Sequence, residues 1–94
     1  MMTLEDRILS ALQYGYSKRL SGPTIQYYLN DSLNRYCHKF DETEPLINYI
    51  KQFHLNPLLK NRYDELVKKY NINLTENNKL LLKKCVCLEF LGNL

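Results

Sequence analysis

The stretch that decides the fold is residues 20–40, LSGPTIQYYLNDSLNRYCHKF, because it fits either one amphipathic helix or two short helices joined by a tight turn. A single helix would keep its apolar residues on one face, since they recur at intervals of three and four. A pair of helices would place Asn30 in the turn, because asparagine tolerates the left-handed conformation that turns need. Ser32 would then cap the second helix. Periodicity alone leaves both interpretations open.

The rest of the chain has the pattern of short amphipathic helices. Capping residues recur along it, and the apolar residues between them are three and four apart. The predicted N-caps are Thr3, Ser21, Thr43, Asn56 and Thr75. The first helix is predicted to end before Gly15, and the last, over about 75–91, is apolar on nearly all sides and should lie at the centre. The sequence therefore predicts an all-α, compact bundle of five or six short helices.

Length and composition indicate one folded domain over residues 1–94. A chain of 94 residues buries roughly 60–65% of the surface that its unfolded form exposes, and 45% hydrophobic residues with 8 tyrosines is too apolar for a disordered segment. Within that domain, residues 1–40 are the candidate helix-turn-helix unit. Residues 43–94 are predicted to form the helical core or a dimerisation part.

Several functional classes lack their sequence signals. We find no glycine-rich phosphate loop, no catalytic triad with recognisable context and no paired carboxylates in an apolar setting, so we expect a protein that is not an enzyme and binds no cofactor. Cys37, His38, Cys85 and Cys87 supply zinc-type ligand atoms. However, residues two apart on a helix point about 200° from each other, so we interpret the thiols as buried core residues and expect no metal.

The location of the protein is predicted from its cysteines and its start. An odd number of cysteines and an acidic N-terminal stretch without a leader-like apolar run indicate reduced thiols in the cytoplasm. The most apolar segment, LLLKKCVCLEFL, is interrupted by charges and is too short to span a bilayer, so no membrane association is expected.

The broken form of residues 20–40, preceded by the apolar ILSAL and a short loop, resembles the helix-turn-helix DNA-binding motif over about residues 4–40. The resemblance implies a recognition helix from Ser32 that reads double-stranded DNA in the major groove, with loop residues and Tyr16 on phosphates. The net charge of +3 permits this without requiring it. The implied nucleic-acid-binding residues are Lys18, Arg19, Ser32, Asn34, Arg35, His38 and Lys39.

Clustered tyrosines support a second function, docking on a partner protein. Tyr14, Tyr16, Tyr27 and Tyr28 cannot all face the core, and exposed tyrosine beside basic residues is typical of interface hot spots. The segment NLTENNKLLLKK is similar to the last-helix region of small helical bacteriocin immunity proteins. Abundant Asn, Lys, Ile and Tyr are typical of AT-rich genes of low-GC bacteria, their phages and plasmids. The sequence thus favours a DNA-binding regulator, which could form a homodimer. The alternative is an inhibitor, immunity or adaptor protein that docks on a partner protein.

Overall fold

The computed structural model describes residues 3–38, 44–71 and 73–92, and these form five α-helices. The helices are α1 (Leu4–Ser17), α2 (Gly22–Cys37), α3 (Glu44–Lys51), α4 (Pro57–Tyr70) and α5 (Glu76–Gly92), with a short 3-10 turn at Phe53–Leu55 before α4. The predicted all-α class is confirmed. The radius of gyration of 13.1 Å is close to the ~12 Å of a compact chain of this length. The predicted N-cap Thr43 lies outside the described residues.

Local capping chemistry explains where the helices begin. Thr3 and Asp6 form a capping box, in which the Thr3 Oγ1 accepts from the Asp6 N–H at 3.1 Å and the Asp6 carboxylate accepts from the Thr3 N–H at 3.0 Å. Ser21 and Asn56 cap α2 and α4 with their side-chain oxygens, and each cap is followed by a proline in the first turn. These three predicted starts are confirmed.

The second helix is continuous, so of the two alternatives for residues 20–40 the single helix is correct, and the break at Asn30 that the helix-turn-helix resemblance requires does not occur. Asn30 and Asp31 are both helical, since the propensity cost of a single Asn or Asp is only a few tenths of a kcal/mol and tertiary contacts offset it. Asn30 donates a hydrogen bond to Asn78 Oδ1 of α5 at 2.8 Å. Ser32 caps no helix; its hydroxyl donates to the Arg7 carbonyl of α1 at 2.8 Å.

The first helix runs past its predicted end before Gly15 and stops at Ser17. The chain then reverses through a Schellman arrangement, in which the Arg19 N–H donates to the Tyr16 carbonyl and the Leu20 N–H donates to the Gly15 carbonyl at 2.9 Å. Gly15 lies within α1 where α2 passes close to it, and the missing side chain leaves room for this approach. A Cβ atom at Gly15 would lie 2.6 Å from Ile25 Cγ1.

The last helix is central, as predicted, and contacts each of the other four helices. Its buried residues lie on several sides, as the apolar sequence from Leu80 onward implies; they are Asn78, Leu82, Cys85, Val86, Cys87 and Leu88. Despite this apolarity, none of the helices in the described segments is long and apolar enough to cross a membrane.

A buried amide joins α5 to α2. Asn78 is 1% exposed, and its Nδ2 donates to the carbonyl of Gln26 at 3.1 Å and to Gln26 Oε1 at 2.9 Å. With the Asn30 hydrogen bond to its Oδ1, the amide has both of its polar atoms satisfied. This pairing holds α2 straight against α5 at the position where the sequence admitted a turn.

An ionic network ties α4 to α1 and α5. The guanidinium of Arg62 binds both carboxylate oxygens of Glu89, at 2.7 and 3.1 Å, and reaches Glu5 at 3.0 Å. Glu5 also accepts from Lys69 at 2.9 Å and from the Tyr70 hydroxyl at 2.8 Å. Two-point Arg–carboxylate pairs are directional, so the network fixes the orientation of α4.

Candidate functional site

Three of the four tyrosines noted in the sequence lie together on the surface. The rings of Tyr14 and Tyr28 are 4.9 Å apart between centroids and those of Tyr27 and Tyr28 are 5.7 Å apart, both edge to face. Tyr27 is 69% exposed and Tyr14 is 44% exposed. We call Tyr14, Tyr27 and Tyr28 the tyrosine cluster. It is an aromatic surface whose rings hold one another in the favoured quadrupolar arrangement.

The hairpin of α1 and α2 brings these rings together. The connection between the helices spans only residues 18–21, so the end of α1 lies beside the start of α2. Tyr14 is in the last turns of α1, and Tyr27 and Tyr28 are in the second turn of α2. Neighbouring residues on a helix point about 100° apart, so Tyr28 leans onto Tyr14 while Tyr27 points outward.

The fourth tyrosine, Tyr16, is not part of this cluster. It is 64% exposed, but it lies two residues from Tyr14 and therefore about 200° around α1. Its ring borders a different groove of ≈ 650 Å³ between the start of α2 and the loop before α5. The lining of that groove includes Tyr16, Pro23, Ile25, Gln26, Asn73 and Leu74.

A smaller groove of ≈ 290 Å³ adjoins the tyrosine cluster. Its lining from α1 includes Arg7, Ser10 and Tyr14, which share one face because they are three and four residues apart. From α2 it is lined by Tyr28, Asp31, Ser32 and Arg35. We call it the arginine groove. It combines aromatic walls with two guanidinium groups and one carboxylate.

The two arginines of the arginine groove differ in their hydrogen-bond partners. Arg35 Nε lies 3.0 Å from Asp31 Oδ2, and this pair is exposed to solvent on α2. The Nε of Arg7 is buried and has no hydrogen-bond partner among the described residues. A buried guanidinium nitrogen without a partner is unfavourable. Arg7 therefore lines the groove with a guanidinium whose Nε makes no hydrogen bond to the described residues.

The phenol of Tyr28 stays protonated at neutral pH. A hydrogen bond with the Tyr14 side chain is the main cause that raises the pKa of Tyr28, followed by the charge interaction with Tyr14 and by burial. Its hydroxyl therefore remains able both to donate and to accept a hydrogen bond. The tyrosine cluster therefore offers two things to a binding partner: an aromatic surface and phenolic groups that form hydrogen bonds.

The residues predicted to contact DNA extend from the connection before α2 to the end of that helix. Lys18 and Arg19 are in the connection before α2, whereas Asn34, Arg35 and His38 are in its last turns or at its end. At 1.5 Å per residue, these two groups are separated by roughly 20 Å along the helix. Ser32 is half-buried against α1, and Lys39 lies outside the described residues. Lys18 and Arg19 are thus not brought beside the other basic residues.

Sequence reasoning missed Arg7, Ser10 and Asp31 as part of a site. Arg7, Ser10 and Tyr14 recur at helical spacing, and this signal was present in the sequence. Their link to Asp31 depends on the packing of α1 against α2, for which the sequence holds no local signal.

The cysteines form no metal site in the described parts of the chain. No group of three or more His, Cys, Asp or Glu residues there is placed to hold an ion. Cys37 and Cys85 do meet in the core, with their sulfurs 3.1 Å apart, while His38 is exposed at the end of α2.

Comparison with known proteins identifies no relative. No protein-family model matches the chain, and neither a curated protein nor a solved structure is significantly similar to it.

Proposed function

We propose that this protein is a small helical binding domain that docks the tyrosine cluster and the arginine groove onto an acidic segment of a partner protein. One observation carries the proposal: three tyrosine rings from two helices gather on the surface beside two arginines. Tyrosine and arginine are enriched among the residues that dominate interface energies.

The rings suit docking because they are already ordered. Tyr28 is in edge-to-face contact with both other tyrosines, so little rotamer freedom is left to lose when a partner covers them. Ordering a side chain at an interface costs about 0.5–1.5 kcal/mol, and this cost is largely avoided here. Tyr27 is exposed and packs against the ordered ring of Tyr28, so it can anchor an apolar side chain of the partner.

The charges favour an acidic partner. Arg7 and Arg35 line the groove. Asp31 offsets part of this charge through its pair with Arg35. The remaining positive charge complements aspartate or glutamate, and such complementarity gives specificity and speeds association.

DNA binding stays a prediction, without the helix break that suggested it. Tyr27, Asp31, Asn34 and His38 share the exposed face of α2, since they are four, three and four residues apart. None of these four residues is Lys or Arg, on whose phosphate contacts the affinity of DNA-binding proteins depends. The same face is compatible with a protein partner that supplies a donor to Asp31.

The test begins with selection of peptides from a random phage-displayed library on the immobilised full-length protein. We expect the enriched peptides to combine Asp or Glu with aromatic or aliphatic residues. Amide chemical shifts recorded with one such synthetic peptide should change at Arg7, Tyr14, Tyr27 and Tyr28. Enrichment of basic peptides, or shift changes confined to the groove beside Tyr16, would contradict the proposal.

Matched variants give the prediction its magnitude. Tyr27→Ala should weaken the peptide about 10- to 30-fold in calorimetry, because an anchor tyrosine contributes about 1.5–2 kcal/mol. Tyr16→Ala removes a ring of similar exposure from the other side of α1 and should leave the affinity unchanged. Equal losses in both variants would reject the tyrosine cluster as the binding surface.

The second probe is a labelled pool of 20-base-pair duplexes of random sequence, from which bound duplexes are selected. The docking proposal expects weak binding that disappears with rising salt. Sub-micromolar binding to a selected duplex, lost in Arg35→Ala and retained in Tyr27→Ala, would instead support the DNA-binding regulator.

A further inference from the structure

Two cysteines that are far apart in sequence meet in the core. Cys37 is the last residue of α2 and Cys85 lies in the middle of α5, yet their Sγ atoms are 3.1 Å apart. Both thiols are free, with Cys37 8% exposed and Cys85 fully buried. We propose that Cys37 and Cys85 are a redox modification site, at which a hydroperoxide forms an intramolecular disulfide between α2 and α5.

The third cysteine does not compete for this bond. Cys87 is also buried, but it is two residues after Cys85 and points about 200° away around α5. Cys85 instead faces α2, where its thiol also lies 3.6 Å from the Leu33 carbonyl. The fold therefore selects one pair out of three chemically identical residues.

The two thiols differ in their readiness to react. The Cys85 thiol, acting as a hydrogen-bond donor, lowers the pKa of Cys37, and the Lys84 ammonium lowers it further, against the effect of burial. The same hydrogen bond and burial raise the pKa of Cys85. Because the thiolate is the nucleophile and Cys37 is the more exposed of the two, Cys37 reacts first.

The oxidation proceeds in two balanced steps. Cys37 loses its proton, and its thiolate attacks one oxygen of the hydroperoxide, so that an S–O bond forms and the O–O bond breaks. The alkoxide or hydroxide that leaves takes up a proton, and Cys37 is a sulfenic acid. The Cys85 sulfur then attacks the Cys37 sulfur, an S–S bond forms, and the hydroxyl leaves with the Cys85 proton as water. Two thiols have lost two electrons, and the peroxide has gained them.

The geometry allows the bond with little rearrangement. The sulfurs must move from 3.1 Å to the ~2.05 Å of a disulfide, which small side-chain rotations accomplish. The closed loop would span residues 37–85 and so restrict about half of the unfolded chain. We expect the thermal midpoint of the oxidised protein to rise by about 10–20 °C.

The test treats the full-length folded protein with hydrogen peroxide, then denatures it and labels the remaining thiols with N-ethylmaleimide. Mass spectrometry should show the loss of two hydrogens from a monomer and one labelled cysteine, which is Cys87. Trypsin leaves Cys85 and Cys87 in one peptide, so the C87S variant is needed to assign the bond. It should form the same disulfide and take up no label.

Several outcomes would overturn the proposal. These are a disulfide that contains Cys87, disulfide-linked dimers, three labelled thiols after treatment, or sulfinic acid without a crosslink. Oxidised C37S should keep two labelled thiols. Oxidised C85S should keep one, Cys87, because Cys37 still forms a sulfenic acid there but has no thiol to resolve it. Should either variant fail to fold, the wild-type protein and C87S decide the result by themselves.

Discussion

Two non-glycine residues of the described chain, Arg19 and Asn71, have left-handed backbone conformations, and both follow the end of a helix. Arg19 has φ 54° in the reversal after α1, and Asn71 has φ 48° after α4. The left-handed region costs most residues about 1–2 kcal/mol, but asparagine adopts it more easily. Arg19 is therefore the more strained of the two.

The substitution Arg19→Gly should stabilise the protein. Glycine removes the steric cost of the positive φ, and this gain exceeds the added entropy of the unfolded chain, so the free energy of unfolding should rise by about 1 kcal/mol. Asn71→Gly is the matched control and should change stability less. Urea unfolding measures both variants. A destabilised Arg19→Gly protein, or a larger gain in Asn71→Gly, would contradict this explanation.

At the scale of helices, the sequence predicts where a helix begins better than whether it continues past a glycine or an asparagine. Caps act through neighbours two or three residues away, so Thr3, Ser21 and Asn56 could be identified from the sequence. The end predicted before Gly15 was wrong and the choice at Asn30 stayed open, because both positions are in contact with another element: Ile25 lies close to Gly15, and Asn30 binds Asn78. Local propensity differences are smaller than these tertiary contacts.

Gly15 and Gly22 provide a test of helix packing within one hairpin. Gly15→Ala would place a Cβ 2.6 Å from Ile25 Cγ1, which forces α1 and α2 apart. The cost of such overpacking is about 1–3 kcal/mol, and it outweighs the gain of roughly 1 kcal/mol in helix propensity. Gly22→Ala meets nothing within 4 Å and should be neutral or slightly stabilising.

The measurement is the thermal midpoint of both variants by circular dichroism. Gly15→Ala should melt several degrees lower than the wild-type protein, and Gly22→Ala at or slightly above it. Displacing α1 should also disturb the tyrosine cluster, whose rings come from both helices. A Gly15→Ala protein with wild-type stability would show that Ile25 repacks freely and that the close approach of the helices is unimportant.

At the scale of the whole molecule, the packing of the helices depends on contacts between residues far apart in sequence, which local sequence patterns do not predict. Arg62 meets Glu5, and Cys37 meets Cys85, across 57 and 48 residues of sequence. The sequence could identify the tyrosines and cysteines as residues of interest. It could not show which tyrosines share a surface or which thiols meet, because both depend on how the helices pack. The predicted fold class needed only helix periodicity, and the site needed these long-range contacts.

Glu5 gives the molecule a predictable response to acid. Hydrogen bonds from Lys69, Tyr70 and Arg62 lower its pKa from 4.5 to about 2 in the folded protein. Because the folded pKa is the lower one, the stabilisation is present above pH 4.5 and is lost as the pH falls towards 2. Since the carboxylate is 27% exposed, we expect it to contribute about 2 kcal/mol, less than the full shift implies.

Glu5→Gln should therefore flatten the dependence of unfolding free energy on pH between 4.5 and 2, while lowering stability at pH 7. Urea unfolding at half-unit pH steps measures this. Glu76→Gln removes the same charge from a side chain that is 89% exposed and should leave the slope unchanged. If the wild-type and Glu5→Gln proteins have equal slopes, the ionic network contributes nothing that depends on Glu5 ionisation. A reduced slope only in Glu5→Gln would show that one carboxylate of α1 helps to hold α4 in place.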